Sequence, residues 1–375
     1  MDKTVLYEAD QGGYAIYRIP AIVVTQRGVV LAFCEARRSA GGDWGAIDVL
    51  LRRSTDGGAT WRPPQQVSHT GAGIAKNPVA LQQGLAGADE RTCGNPAPIT
   101  DRETGTVHLL YCVEYARCFY RRSDDDGATW SEPVDLTATF EAFRPEYDWR
   151  VLATGPGHGI QLRSGRLLVP VWLSTGTGGH AHRPSCVSVI YSDDHGGTWQ
   201  RGEIVVAHSE SIANPSETVA VQLRDGRVML NIRSESRRNR RLMAYSADGA
   251  TGWSPPAFHE ALFEPVCCAS LLRLGEEGPL LFANPDSRGS PRGPNDWGAW
   301  PRENLTVRLS EDEGQTWPVA RVLEPGSAGY SDLAAGADGT IYCLYEEGSS
   351  TFQHAHLTVA RFSLIELTTG ENYEG

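Results

Sequence analysis

Ser54-Thr55-Asp56-Gly57-Gly58-Ala59-Thr60-Trp61 is the stretch whose reading decides the fold. Serine, aspartate, glycine, threonine and tryptophan at these spacings describe a tight turn. The aspartate accepts from backbone amides, the glycine takes a positive φ, and the indole packs under the loop. Taken once, it is a staple between two strands. The spacing returns at Ser123 to Trp130, Ser192 to Trp199 and Ser310 to Trp317. It also returns in a degraded form at Ser246 to Trp253, with Ala250 and Gly252 in the glycine and threonine places.

A second repeat counts the units independently. Glycine followed by an apolar strand occurs at Gly28, Gly105, Gly165, Gly226, Gly278 and Gly339. Six copies, each with room for about four short strands, predict an all-β six-bladed propeller with four-stranded antiparallel blades. A turn of the first kind follows each of the first five strands. An early strand, Thr4 to Glu8, is expected to pair with the last one, around His356 to Arg361. That pairing joins the termini and makes residues 1–375 one domain without a linker.

The bulk composition narrows the function. Forty-one glycines and 22 prolines, spread along the chain, mean many turns and few long helices. A formal net charge of -12 disfavours nucleic acid and anionic membranes, which need a basic surface. It leaves room for a small acidic ligand, which feels only its own site. Of the 34 basic residues, all but Lys3 and Lys76 are arginine, so no lone arginine is informative by its type. No apolar run is long enough to span a membrane, and Met1-Asp2-Lys3-Thr4 lacks the features of a signal peptide. A soluble protein is expected, cytoplasmic as the chain stands or secreted after loss of a leader. Eight scattered cysteines lack a C-x-x-C pair or zinc spacing and read as reduced core residues. His180 with His182, and His354 with His356, lack an evident carboxylate or cysteine partner and read as loop histidines; no metal and no cofactor is expected.

Polar residues that interrupt apolar strands are the candidates for chemistry. Arg18 stands before Ile19-Pro20 at the mouth of an apolar run, where it must leave the core or meet an anion. Arg37 ends the next run, and the small-residue loop after it carries Asp43. Glu217 starts the strand leading to Gly226, Arg233 ends the following one, and Arg302 precedes the fifth turn. Tyr330 enters the sixth unit, and Glu346 ends the strand Ile341 to Tyr345. Competing readings are Asp48 for Asp43, and Arg292 or Arg308 for Arg302, with Arg308 expected to face solvent or the neighbouring blade. The run Arg237-Arg238-Asn239-Arg240-Arg241 reads as a solvated hairpin tip. The long segment Asp286 to Trp300 is expected to form pocket rim, with Trp297 or Trp300 able to touch a ligand. Ala72 to Thr92 is the other long insertion.

The recurring turn resembles the Asp-box, or BNR repeat, of sialidases and of several non-enzymatic propellers. Ordered motifs make the resemblance specific to exo-α-sialidases of the bacterial and animal type over nearly the whole chain. They are Arg-Ile-Pro at 18–20, Glu-x-Arg-Arg with Gly-Asp-x-Gly-x-Ile-Asp at 35–48, Gly-Asn-Pro at 94–96 and Gly-Pro-Gly-x-Gly-Ile at 155–160. The pair Glu217 and Arg233, Arg-x-Asn-Leu-Thr-Val at 302–307 and Tyr-Ser-Asp-Leu at 330–333 complete the set.

The resemblance implies a retaining hydrolase of terminal α-linked sialic acid. In it Arg18, Arg233 and Arg302 hold the sugar carboxylate and Tyr330 is the nucleophile. Glu217 is its base and Asp43 the acid, Arg37 binds near C4 of the sugar, and Glu346 orients Arg18. The implied partner is a sialylated glycan or another nonulosonic acid glycoside. The same site would serve a trans-sialidase or an enzyme for Kdn or pseudaminic acid, and a non-catalytic carbohydrate-binding propeller is the alternative from another class.

Overall fold

The computed structural model describes residues 1–69, 73–177, 179–296, 298–348 and 352–369. The expected all-β architecture is present: the described residues form 25 strands and three short helices. The strands Ile16–Val24, Val30–Arg37, Ile47–Ser54 and Gln65–Gln66 pair antiparallel in that order. Cys93–Thr100, Val107–Val113, Arg117–Ser123 and Val134–Asp135 do the same, as do Thr218–Gln222, Val228–Ile232, Arg240–Ser246 and Ala257–Phe263. Between these two lies a sheet ordered Val151–Thr154, Leu167–Ser174, Ser185–Ser192 and Gln200–Arg201, with Ile160–Gln161 and Val206–Ala207 pairing beside the main path.

The last sheet has seven strands because one of them is shared. Val319–Ala335, 17 residues long, pairs through its first half with Glu303–Ser310 and through its second with Ile341–Glu347. Leu280–Pro285 and Ser270–Arg273 continue one side; His356–Phe362 and then Asp2–Glu8 continue the other. The pairing of the first strand with the last runs from Asp2 opposite Arg361 to Glu8 opposite His356.

All six glycine-led runs become the second strands of their groups. They read as continuous apolar runs because both faces are covered. Val30–Arg37 is buried at every position, with Leu31 and Phe33 packed towards Leu109 and Tyr111 on one side. Its Val30, Ala32 and Cys34 pack towards Leu344 and Val359 on the other. Each such Leu, Ile or Phe contributes about 1.5–3 kcal/mol relative to exposure.

Most contacts between sheets involve their first strands. Ile16–Val24 packs on Cys93–Thr100 and on Val319–Ala335; Cys93–Thr100 packs on Val151–Thr154; Thr218–Gln222 packs on Leu167–Ser174 and on Ser270–Arg273, which meets Val319–Ala335. All eight cysteines are buried and unbridged. Among the described residues no helix is long and apolar enough to cross a membrane.

The turns behave as their residues require. In the first, Asp56 accepts from the Thr60 amide at 2.9 Å and Ser54 Oγ accepts from the Gly58 amide at 2.8 Å, with Gly58 at φ 86. The fourth copy corrects the sequence alignment. There Gly249 and Thr251, not Ala250 and Gly252, fill the glycine and threonine roles, donating to Ser246 Oγ at 3.0 Å and Asp248 Oδ1 at 2.8 Å. It is the same turn with those two roles moved one residue towards the serine.

Three expectations change. Arg241 is fully buried rather than part of a solvated tip, paired with Glu264 inside the protein; Arg237 and Arg238 alone of that run are exposed. Arg308 is also buried, on Asp286, which gives its charge a partner away from solvent. Trp300 packs edge-on against Phe263 at 5.6 Å and donates its amide to Pro265, so its ring is used in packing rather than in the cavity described below. Trp297 and Ala72 lie outside the described residues.

Candidate active site

Three β-bulges aim the side chains of the site. Pairing slips between Arg18 and Ala21, between Gly94 and Ala97, and between Ala328 and Ser331. A bulge turns a side chain that regular pleating would send into the sheet stack. Arg18, Asn95 and Tyr330 emerge there, and all three line one cavity. Ile19, Asn95 and Asn214 each hold a positive φ, of 57°, 55° and 42°, directly before a proline. For Ile19 this is a strained conformation of a β-branched residue. It is held by Glu346, whose Oε1 accepts from the Ile19 amide at 3.0 Å.

The cavity measures about 170 Å³ and is lined by Arg18, Asp43, Glu217, Arg233, Arg302 and Tyr330 from the predicted set. Arg37 and Glu346 stand directly behind it. Tyr330 donates its phenolic proton to Glu217 Oε1 at 2.6 Å and accepts from Arg233 Nη1 at 2.7 Å. Arg233 also ion-pairs with Glu217. The guanidinium carbons of Arg18 and Arg302 lie 5.2 and 5.1 Å from the centre of the Tyr330 ring. Burial pushes the Tyr330 phenol well above its ordinary pKa, with Arg233 and Arg302 opposing and Glu217 adding to the rise. The resting residue is therefore a neutral phenol with a carboxylate on its proton.

Glu346 is fully buried and joins two bulges. It takes Arg18 Nε at 3.1 Å and Nη2 at 3.3 Å, and its Oε2 accepts from the Tyr330 amide at 3.2 Å. Gly329 permits this approach, since a Cβ there would lie 2.3 Å from Glu346 Oε2. Burial opposes the charge of Glu346, but Arg18, His354, the Ile19 amide and Arg302 bring its pKa down to about 2.

Asp43 is half-buried, its side chain 43% accessible. Arg37 donates to it at 3.0 Å, and Arg18 stands 3.6 Å away. Burial works against its charge, and Arg37, His182 and Arg18 outweigh that, holding it well below the ordinary carboxylate range. Arg37 is fixed by two donations to Glu35 Oε2, at 3.0 and 2.6 Å. Among the described residues Arg302 makes no ion pair; its Nη2 donates to the Val266 carbonyl at 3.1 Å. With Arg18 on Glu346 and Arg233 on Glu217, Arg302 is the one of these three arginines without a carboxylate ion pair among the described residues, and its guanidinium is the one most open to an incoming anion.

The competing candidates go elsewhere. Asp48 accepts from Tyr14 at 2.8 Å and from Gln66 at 2.8 Å, while Arg292 pairs with Glu303. Sequence reasoning missed one wall of the cavity. Arg183 donates to Glu235 Oε1 at 3.0 and 2.6 Å, and Asn214 Nδ2 donates to Glu235 Oε2 at 2.6 Å. His180 and His182, read as loop histidines, line the same wall; His182 sits among Trp44, Tyr115 and Trp172, and burial lowers its pKa to about 4. The Asn214-Pro215 step, like Asn95-Pro96, is the signal that marks this wall. A larger cavity of about 740 Å³, beside the helices Pro78–Gln83 and Thr137–Glu141, holds none of the predicted residues. Among the described residues no three His, Cys, Asp or Glu side chains gather as a metal site.

Comparison with known proteins places the chain beside sialidases. Residues 79–343 match the family described as BNR repeat-like domain. A sialidase of Micromonospora viridifaciens is 34% identical over 93% of this chain and 52% of its own length. A sialidase of Bacteroides fragilis is 29% identical over 92% of this chain and 62% of its own. The chain thus spans between half and two thirds of these two relatives. Among solved structures, a Hadza microbial sialidase superposes with a TM-score of 0.75 at 27% identity, covering 97% of this chain and 69% of that one. The chain belongs to the sialidase family built on the BNR repeat-like domain.

Proposed function

We propose that this chain is a retaining exo-α-sialidase, folded as one six-bladed β-propeller, that removes terminal α-linked sialic acid from glycoconjugates through a tyrosyl-enzyme intermediate. The propeller reading is supported by three four-stranded sheets, a fourth with a four-strand main path and a seven-stranded sheet that divides at the shared Val319–Ala335 into two runs of four, by the contacts that return from Ser270–Arg273 through Val319–Ala335 to Ile16–Val24, and by the terminal strand pairing. The observation that carries the catalytic reading is Tyr330 hydrogen-bonded to both Glu217 and Arg233 between two further arginines.

The steps follow from charge. The substrate carboxylate enters against Arg18, Arg233 and Arg302, whose planar forks fix its direction as well as its charge. That carboxylate is bonded to the anomeric carbon, so a neutral phenol approaches where a carboxylate nucleophile would be repelled. As Tyr330 Oη bonds to the anomeric carbon, its proton passes to Glu217; the glycosidic bond breaks and the leaving oxygen takes a proton from Asp43. Water then attacks the same carbon and gives a proton to Asp43, the bond to Tyr330 breaks, and Glu217 returns its proton to the phenolate. Two displacements retain the α-configuration. Arg37 holds Asp43 and the sugar near C4, and Glu346 orients Arg18.

Release of fluorophore from 4-methylumbelliferyl α-N-acetylneuraminic acid between pH 4 and 8, beside the Kdn glycoside, tests the reading. Turnover of the first substrate, reduced by about three orders of magnitude in Tyr330→Phe, is expected. Turnover of the Kdn glycoside alone moves the specificity to another nonulosonic acid. Silence on both, with binding of free sialic acid unchanged in Tyr330→Phe, makes the protein a binder.

A further inference from the structure

We propose that the buried Arg241–Glu264 ion pair is a positioning device that sets the spacing of Arg233 and Arg302; the proposal rests on the reading of those arginines as holders of the substrate carboxylate. The two belong to different sheets, so strand pairing does not fix their separation. Arg233 follows Val228–Ile232, and Arg302 precedes Glu303–Ser310. Between the sheets runs the loop after Ala257–Phe263, whose Val266 carbonyl accepts the hydrogen bond of Arg302.

One guanidinium reaches both sides. Arg241 Nε donates to Asn231 Oδ1 at 2.5 Å and Nη2 to the Asn231 carbonyl at 3.1 Å, two residues before Arg233. Its Nη1 pairs with Glu264 and donates to the Cys267 carbonyl at 3.3 Å. Glu264 Oε1 in turn accepts from the Cys267 amide at 2.8 Å. Both peptide groups of Cys267 are thereby held. Residue 266 between these anchors is a valine at φ 68, a conformation a β-branched side chain avoids unless its surroundings impose it. That conformation presents the Val266 carbonyl to Arg302. Asn239 ties down the start of the loop: its Nδ2 donates to the Glu264 carbonyl and its own carbonyl accepts from the Glu264 amide, both at 3.0 Å.

Stability alone is a poor account of the pair. A buried ion pair adds little over an apolar pair of similar volume, whereas the planar five-donor fork of an arginine holds several acceptors at set distances. Arg241 uses its fork in that way, and neither it nor Glu264 lines the cavity.

Arg241→Lys keeps the charge and loses the fork. The measurement is calorimetric binding of 2-deoxy-2,3-didehydro-N-acetylneuraminic acid and of its methyl ester, with KM, kcat and a melting curve on the same preparations. Wild type is expected to prefer the acid. In Arg241→Lys the preference shrinks roughly tenfold and KM rises more than kcat falls, because misplacement by a fraction of an ångström weakens the bidentate contacts. Asn231→Ala, which removes one of the bonds and no charge, gives a smaller change in the same direction and decides the matter where the lysine variant does not fold. A cooperatively melting variant that keeps the wild-type preference and KM overturns the positioning role alone. A wild type with no preference for acid over ester overturns the carboxylate reading and the positioning role with it.

Discussion

Asp43 holds its negative charge against burial because Arg37, His182 and Arg18 face it. A general acid must carry a proton, so the free enzyme holds Asp43 in the wrong state for the first step. A substrate carboxylate on the arginines offsets their field and raises the Asp43 pKa. The falling limb of kcat, which reports the bound enzyme, is therefore expected at higher pH than that of kcat/KM, which reports the free one. Coincident limbs would contradict this. Asp43→Ala is expected to lower turnover of natural glycosides by about 10²–10⁴-fold and of aryl glycosides far less, because an aryl oxygen leaves without a proton. Equal losses on both would remove Asp43 from that role. At this scale, legibility followed local motif. Arg18, Tyr330 and Asp43 sit in short distinctive phrases, whereas Glu235 and Arg183 meet only through packing of two loops from different sheets, which no spacing records. Arg241 was misread because its neighbours Arg237 and Arg238 are exposed; the alternation of the strand that begins at Arg240 turns it inward, onto Glu264.

The turn is the element whose sequence says most, since all its bonds lie within eight residues. Where the sequence misled, in the fourth copy, the glycine and threonine roles had moved one residue towards the serine, while the serine and aspartate anchors kept their places. Gly196 in the third copy has φ 81, and a Cβ there would lie 2.6 Å from Tyr120 Oη and 2.8 Å from His108 Nδ1. Gly196→Ala therefore combines a disfavoured backbone with overpacking, at roughly 2–4 kcal/mol. Its melting temperature is expected to fall by several degrees, with KM unchanged because the turn lies away from the cavity. A melting temperature within a degree of wild type would contradict that cost. The segment Asp286 to Trp300 was legible as an insertion, but none of its described residues lines the cavity. The direction of Trp300 was not legible, because a neighbouring Phe263 competes for the ring.

Across the whole molecule, one buried carboxylate links several sheets. Asp332 accepts from the Ile22 amide at 2.9 Å, the His158 amide at 3.1 Å, His158 Nδ1 at 2.8 Å and Ser270 Oγ at 2.8 Å. It lies two residues from Tyr330. Burial alone would lower the pKa of His158, but Asp332 outweighs it and raises the value. A raised histidine pKa gives stability that is full below the unfolded value of about 6.5 and is lost as pH rises through the folded value. The melting-temperature advantage of wild type over His158→Gln is thus expected to be greatest at pH 5–6 and to shrink above neutrality. An advantage independent of pH would show that the pair acts through packing alone. The meeting of the termini was legible, because the glycine-led units leave one early strand over to pair with the last. Links such as Asp332 to His158 were not, since they join residues 174 positions apart.

Trapping the enzyme with a 2,3-difluorinated sialic acid and mapping the adduct by intact and peptide mass tests the central claim most directly. One sugar per chain, on the peptide containing Tyr330 and absent from Tyr330→Phe, is the predicted result. An adduct on any other residue, or one formed equally well by Tyr330→Phe, would contradict it.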